Sequence, residues 1–298
     1  MHTNPRVAIV GVTGFIGHGL PALFSEKCIR TTGISRSHNS SVPGVDRWQS
    51  PDQMDFSGHC AVINLAGEAI DRRWTESAKQ QFHESRIGVT TRIVESIAKL
   101  PEADRPEVLV NASAVGYYGD RGDDILSEDA RPGTGYLAGL CADWESAARD
   151  AELLGVRVVC PRIGVVLGKN GAAFEKLRAV FNSYIGGNLG SGKQWMSWIH
   201  VADLRAAMVH AVLSDTLTGP VNATAPYPER NRDLTRKLAS ALHRPALLPA
   251  PAFALRLVLG EFSSALLAST RAIPAALDAE GFQFRYPTLE TALMDLTD

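Results

Sequence analysis

The chain has 298 residues, 45% of them hydrophobic and 21% charged, a balance that excludes disorder and suits one large α/β domain or a domain with a smaller lobe. Its formal charge of −2 is too small to hold a polyanion such as DNA or an acidic membrane, so neither nucleic acid nor membrane is an expected partner. Cys28, Cys60, Cys141 and Cys160 form no CxxC pair, no signal-like leader precedes the first strand, and no apolar run reaches about 18 residues. The expected location is therefore cytoplasmic.

Short Val- and Ile-rich runs at Val7–Val10, Thr31–Ser35, Ala61–Leu65, Val108–Ala112 and Val156–Pro161 read as strands. Between them Phe15–Glu26, Ala78–Leu100 and Gly135–Leu154 carry apolar residues at helical spacing. This alternation predicts an α/β fold, a doubly wound parallel sheet of the Rossmann kind. Beyond Arg162 the pattern changes: the glycine-rich stretch Ile185–Gly192 leads to strand-like Gln194–Val201, a helix at Ala202–Leu213 and a strand at Pro220–Ala223. A mostly helical tail punctuated by Pro245, Pro249 and Pro251 follows. The expected division places residues 1–165 and about 198–225 in the Rossmann domain. Residues 166–197 and 226–298 form a smaller, mostly helical C-terminal substrate lobe.

The first strand runs into Gly11-Val12-Thr13-Gly14-Phe15-Ile16-Gly17. In a strand–turn–helix setting Gly11 makes the tight turn, Gly14 admits a diphosphate to the backbone, and Gly17 lets helix and strand pack closely. The phosphates are expected at the helix N-terminus. The second strand ends in Ser35-Arg36-Ser37, with no Asp or Glu to take the ribose hydroxyls. An arginine there grips a 2′-phosphate with its charged fork, so the expected cofactor is NADP(H). An ordinary β–α turn and a solvated arginine are the plainer readings of the same residues.

The spacing of Gly11, Gly14 and Gly17, with Asn64-Leu65-Ala66-Gly67 after a later strand, resembles the extended short-chain dehydrogenase/reductases, which include the nucleotide-sugar epimerases and the NAD-dependent epimerase/dehydratases. The runs Trp74–Arg86, Ser113–Gly119, Trp144-Glu145, Gly190–Gln194, Trp198–Asp203 and His243–Ala246 are similar to an "epimerase family" subgroup with its own C-terminal domain. The resemblance implies hydride transfer at the nicotinamide, with Ser113 polarising a substrate oxygen and Tyr136 relaying its proton. It also implies a cofactor lined by Thr13, Phe15, Ile16, Leu65, Ala66, Gly67, Ala112, Ser113, Tyr136, Pro161, Arg162 and Ile163. Leu140 stands where the superfamily has a lysine four residues after the tyrosine. That matters because an unperturbed phenol is on the order of 0.1% ionised at neutral pH.

Two functions are accordingly expected. One is an NADP(H)-dependent oxidoreductase or epimerase acting on a small carbonyl or hydroxyl compound, nucleotide-linked sugars included. The other is a catalytically weak or inactive NADPH-binding regulatory or scaffold protein. Nothing favours or excludes an oligomer. Arg162 suits a structural ion pair as well as a cofactor contact, and Lys193 and Gln194 suit either a substrate phosphate or solvent. His200 and Asp203 suit helix capping, and Arg72-Arg73-Trp74 a charged surface over a packed ring. No HExxH or other metal-ligand spacing and no GxSxG elbow occurs, so neither a metal nor acyl transfer is expected.

Overall fold

The computed structural model describes residues 5–36 and 42–298. Eight strands form its main sheet, seven along one path, β1 Arg6–Val10, β2 Arg30–Ile34, β3 Arg47–Gln49, β4 Ala61–Asn64, β5 Val108–Asn111, β6 Arg157–Ile163 and β7 Gly219–Ala223, and a two-residue strand, Ser113–Ala114, that pairs with β6 off that path. The seven lie in the order β7-β6-β5-β4-β1-β2-β3 and every pairing is parallel. The strand order reverses at β1, between β2 and β4, which is where doubly wound sheets open a crevice at their carboxyl ends.

Burial explains why the strand sequences are apolar at every position rather than at alternate ones. Val7 and Ile9 enter one core and Ala8 and Val10 the other, so both faces of β1 are covered. The first core is closed by α1 (Leu20–Ser25) and the second by α3 (Val89–Ala98) and α4 (Tyr136–Arg149). Between α1 and α3 lies α2 (Glu76–His83), capped by Thr75, whose hydroxyl accepts the Ala78 N–H at 3.2 Å. After α4 come α5 (Ala172–Asn182) and α6 (Val201–Leu213), the latter joining the first core. A third core gathers α5, α7 (Asn231–Ala241) and α11 (Leu289–Thr297) around Trp198, Phe174, Leu234 and Leu293. The C-terminal region is mostly helical, and in it α8 (Ala252–Leu259), α9 (Phe262–Leu267) and α10 (Ala275–Ala279) precede α11.

Several expected elements are subdivided. Gln194–Val201 splits at Ser197, with Trp195–Met196 antiparallel to Glu229–Arg230 and Trp198–His200 parallel to Val165–Leu167. The stretch expected as one helix over Ala78–Leu100 is α2, a π-helical turn at Glu84–Gly88 and α3. The helix expected from Phe15 begins as a 3₁₀ turn at Gly17–Gly19, and α1 itself has six residues. Pro21 has no N–H to donate to the Gly17 carbonyl, which takes the Leu20 N–H instead. Pro161 acts similarly in β6: the β5 ladder stops at Val110–Val159 and resumes as Ser113–Arg162, skipping the residue that cannot donate.

Candidate functional site

Gly11 ends β1 with φ +82° and donates its N–H to the Ile34 carbonyl at 3.0 Å. A Cβ on it would stand 3.1 Å from the carbonyl carbon and oxygen of Leu65, and one on Gly17 would stand 2.5 Å from the Gly11 oxygen. Both positions require glycine because backbone meets backbone. Gly14 is different: it is exposed, and a Cβ there would meet only the Gly11 oxygen, at 3.2 Å. Its missing side chain leaves open surface above the turn.

The carbonyls of Gly14, Phe15 and Ile16 face the protein. That of Gly14 accepts the His18 N–H at 2.9 Å, and those of Phe15 and Ile16 accept from the Arg205 guanidinium on α6 at 2.5 and 2.9 Å. In a planar trans peptide the following N–H points the opposite way, so the N–H groups of Ile16 and Gly17 turn away from Arg205 and that of Phe15 turns away from the His18 amide. Among the described residues none accepts from the Phe15 or Ile16 N–H. With only six residues in α1, these amides rather than a long helix dipole make the turn attractive to an anion.

Two segments border the turn. Ser35 is buried with its hydroxyl 3.1 Å from that of Thr13, while Arg36 is exposed and its guanidinium lies 3.6 Å from the Glu68 carboxylate. Ser37 lies outside the described residues. The Leu65 N–H donates to Val10 and the Ala66 N–H to the Asn64 side chain, bringing Leu65–Gly67 alongside Gly11. The π turn grips the next residue from both sides. Ser85 Oγ accepts the Glu68 N–H and Arg86 donates to the Glu68 carbonyl, each at 3.0 Å. Beneath them, Asn64, Thr90, Asn111 and Trp144 form a buried hydrogen-bonded cluster that fixes β4, β5, α3 and α4 together.

Ser113 is buried, following Ala112, whose N–H donates to Asn64. Its hydroxyl lies 2.7 Å from Glu145 Oε1, and since a carboxylate only accepts, Ser113 gives its one proton away. Glu145 also takes two hydrogen bonds from Arg162, at 2.8 and 2.9 Å, as a fork-on-fork pair in which each side chain is under 5% exposed. Arg162 reaches on to the Tyr118 hydroxyl at 2.9 Å and stacks 3.5 Å from the centre of the Tyr117 ring. Burial pushes the Tyr118 phenol up to about 12, and its proton goes to Asn222 at 2.7 Å. Tyr118 is thereby a structural donor. Pro161 and Ile163 flank Arg162 in β6, paired with Val221 and Ala223 of β7.

Tyr136 opens α4 in a cleft lined by Glu76, Lys79, Gln80, His83 and Asp143. Its hydroxyl donates to the Lys79 carbonyl at 3.2 Å and its ring packs on Trp74, 5.3 Å between centroids. Burial holds its phenol above the ordinary value, opposed by the charges of Arg86 and Lys79. No hydrogen bond among the described residues joins Tyr136 to Ser113. Leu140 packs with Trp74, Ala78 and Phe82, a setting that suits a leucine and would desolvate an ammonium.

Among the other singled-out residues, His200 caps α6 through Nδ1 and Asp203 accepts the N–H groups of Arg285 and Tyr286. Gln194 is buried against the Leu189 carbonyl and Lys193 is exposed. Trp74 is buried with its indole N–H on the Ile70 carbonyl. Sequence reasoning left three residues of the site without roles. Glu145 had a readable signal, as an acid on the buried stripe Ala138, Cys141, Glu145, Ala148. Arg86 depends on a π turn and Arg205 on a contact across about 190 positions, neither of which local sequence displays.

Residues 7–224 match the model of the NAD dependent epimerase/dehydratase family, and residues 250–296 match a domain of unknown function, DUF1731. An Arabidopsis thaliana protein named epimerase family protein SDR39U1 homolog, chloroplastic, is 39% identical over 96% of this chain and 85% of its own. The crystal structure of human epimerase family protein SDR39U1 (isoform 2) with NADPH is 31% identical with a TM-score of 0.89, over 98% of this chain and 99% of the human one. A Corynebacterium glutamicum structure described as a nucleoside-diphosphate sugar epimerase is also 31% identical, with a TM-score of 0.80, over 99% of this chain and 59% of that one. The fold, the glycine turn and these similarities, which span nearly all of this chain, lead to one conclusion: the chain belongs to the NAD-dependent epimerase/dehydratase family, in its epimerase family branch with the added C-terminal domain.

Proposed function

We propose that the chain binds NADP(H) over the carboxyl ends of β1, β2 and β4 and acts as an oxidoreductase or epimerase on a small hydroxyl or carbonyl compound, nucleotide-linked sugars included. The observation that carries this reading is the Gly11–Gly17 turn, where glycine is required by backbone contact, Gly14 leaves the surface open, and the amides of Phe15 and Ile16 are undonated. Those amides would hold the diphosphate, Arg36 with Ser35 the 2′-phosphate, and Leu65–Gly67 the ribose side. The residues present therefore fit the cofactor. The human relative solved with NADPH supports the same choice, and the Corynebacterium relative supports a nucleotide-linked substrate.

Bound nicotinamide supplies hydride exchange. The chain's own part is to orient the substrate and move one proton. Tyr136, whose phenol lines the cleft, is the proton carrier in this reading. Ser113, its proton committed to Glu145, holds a substrate hydroxyl by accepting from it, and polarises a carbonyl only after turning away from Glu145. Spread, unpaired cysteines agree with a cytoplasmic setting, and no described helix is long and apolar enough to cross a membrane.

A second reading rests on Leu140: with an apolar cluster where a lysine ammonium would stand, an NADPH-binding protein of little or no turnover is the alternative. Following NADPH absorbance with panels of sugar nucleotides and carbonyl compounds separates the two. Turnover lost in Tyr136→Phe supports the enzyme, whereas tight NADPH binding with no turnover on any panel member establishes the alternative.

A further inference from the structure

The lysine position is apolar, yet the Tyr136 site still contains a fixed cation. Arg86 sits in the π turn Glu84–Gly88, an insertion into the helical register of a kind often found at functional sites. Its guanidinium donates to the carbonyls of Glu68 and, at 3.4 Å, Phe82, and stacks 5.3 Å from the Trp144 ring. A Cβ on Gly67 would touch it at 3.2 Å, so it lies directly behind the Leu65–Gly67 turn. Among the described residues no carboxylate pairs with it. Tyr136 donates to the Lys79 carbonyl, one turn before the Phe82 carbonyl that Arg86 reaches, so phenol and guanidinium are anchored to the same face of α2, one turn apart.

We propose that Arg86 is the positioning cation of this site, supplying from the π turn the fixed positive charge that Leu140 does not, so that Tyr136 can give and regain a proton beside the cofactor turn. The inference rests on the NADP(H) reading for its purpose but not for its test. An arginine stays protonated throughout, so it stabilises the phenolate by charge alone and relays nothing. Among the described residues, Arg86 and Lys79 favour ionisation of the Tyr136 phenol, and Glu76 and Glu261 oppose it. Lys79 is itself ion-paired to Glu261 at 2.8 Å and to Glu76 at 3.4 Å, which spends much of its field. Arg86, without such a partner, remains.

The test places a fluorinated tyrosine, whose phenol ionises nearer neutrality, at position 136 and follows its titration by fluorine NMR in the ligand-free chain. In Arg86→Met the midpoint should rise by about one pH unit, while Arg86→Lys, which keeps the charge but loses the hold on Glu68, should stay near wild type. An unchanged midpoint in Arg86→Met, or an equal rise in both variants, overturns the proposal and leaves Arg86 only its grip on the turn. Circular dichroism and melting temperature identify any loss of fold. NADPH titration of the wild type runs beside this, so absence of saturable binding would defeat the cofactor assignment while the phenol titration still decides the role of Arg86.

Discussion

Arg36 and Glu145 show how differently one charge behaves when exposed and when buried. The Arg36 side chain is 87% exposed and 3.6 Å from Glu68, a contact worth little in water. Its fork is free to close on a phosphate, and charge-assisted hydrogen bonds contribute about 1.5–3 kcal/mol. Arg36→Ala should therefore weaken NADPH binding by roughly tenfold or more and leave NADH little changed, as calorimetric titration would show; equal losses for both would remove Arg36 from the 2′-phosphate. Glu145 was legible as part of the Trp144-Glu145 run and as an acid on an apolar stripe of α4, but its role was not, because the side chain that neutralises it, Arg162, comes from β6. Removing one partner of such a pair strands the other charge, so Glu145→Ala should cost about 3–5 kcal/mol in urea unfolding. Glu145→Leu combined with Arg162→Met should recover much of that loss. A single mutant as stable as wild type would mean that the pair does not organise the floor beneath Ser113.

At the scale of elements, what could be read from the sequence was what short-range periodicity encodes. The strands on the main path of the sheet other than β3 follow from apolar runs, and the glycine turn from its three glycines between strand and helix. Three-residue β3, the Ser197 break and the π turn have no such signature: each is decided by partners that meet only in the folded chain, as when Val165 takes the Ser197 carbonyl. The same holds for the turn's rigidity. Arg205 on α6 fixes the Phe15 and Ile16 carbonyls, and a Cβ on Gly19 would stand 2.5 Å from its guanidinium, so glycine at that position makes room for the clamp. Arg205→Met should loosen these peptides and weaken NADPH binding by about tenfold, the effect of one or two lost charge-assisted bonds, with little change in helix content. Unaltered affinity would show that the amides hold their direction without it.

Across the whole molecule, the C-terminal segment is bound into the nucleotide-binding fold by polar ties that composition does not reveal. Glu128 accepts the N–H groups of both Asn222 and Ala276, Leu277 enters the first core, and Asp203 holds Arg285 and Tyr286. Two buried histidines make the stability of this assembly pH-dependent. His59 sits between the Ser57 carbonyl and the Thr32 hydroxyl under β2, and His200 caps α6 against Tyr286, 4.0 Å between ring centroids. Burial lowers both from the ordinary value of 6.5. A histidine whose folded pKa is depressed stays neutral in the native state while the unfolded chain takes up its proton, so stability is lost as pH falls below 6.5 and levels off below the folded value. Asp203, raised by burial, runs the opposite way, because its folded state takes up a proton first on acidification. The clean observable is therefore a difference. The stability advantage of wild type over His59→Gln, and separately over His200→Gln, should be largest at neutral pH and shrink on acidification towards pH 5, measured by urea unfolding at matched ionic strength. A constant advantage across that range would mean that neither imidazole is held neutral, and that the acid sensitivity of the fold lies in its carboxylates.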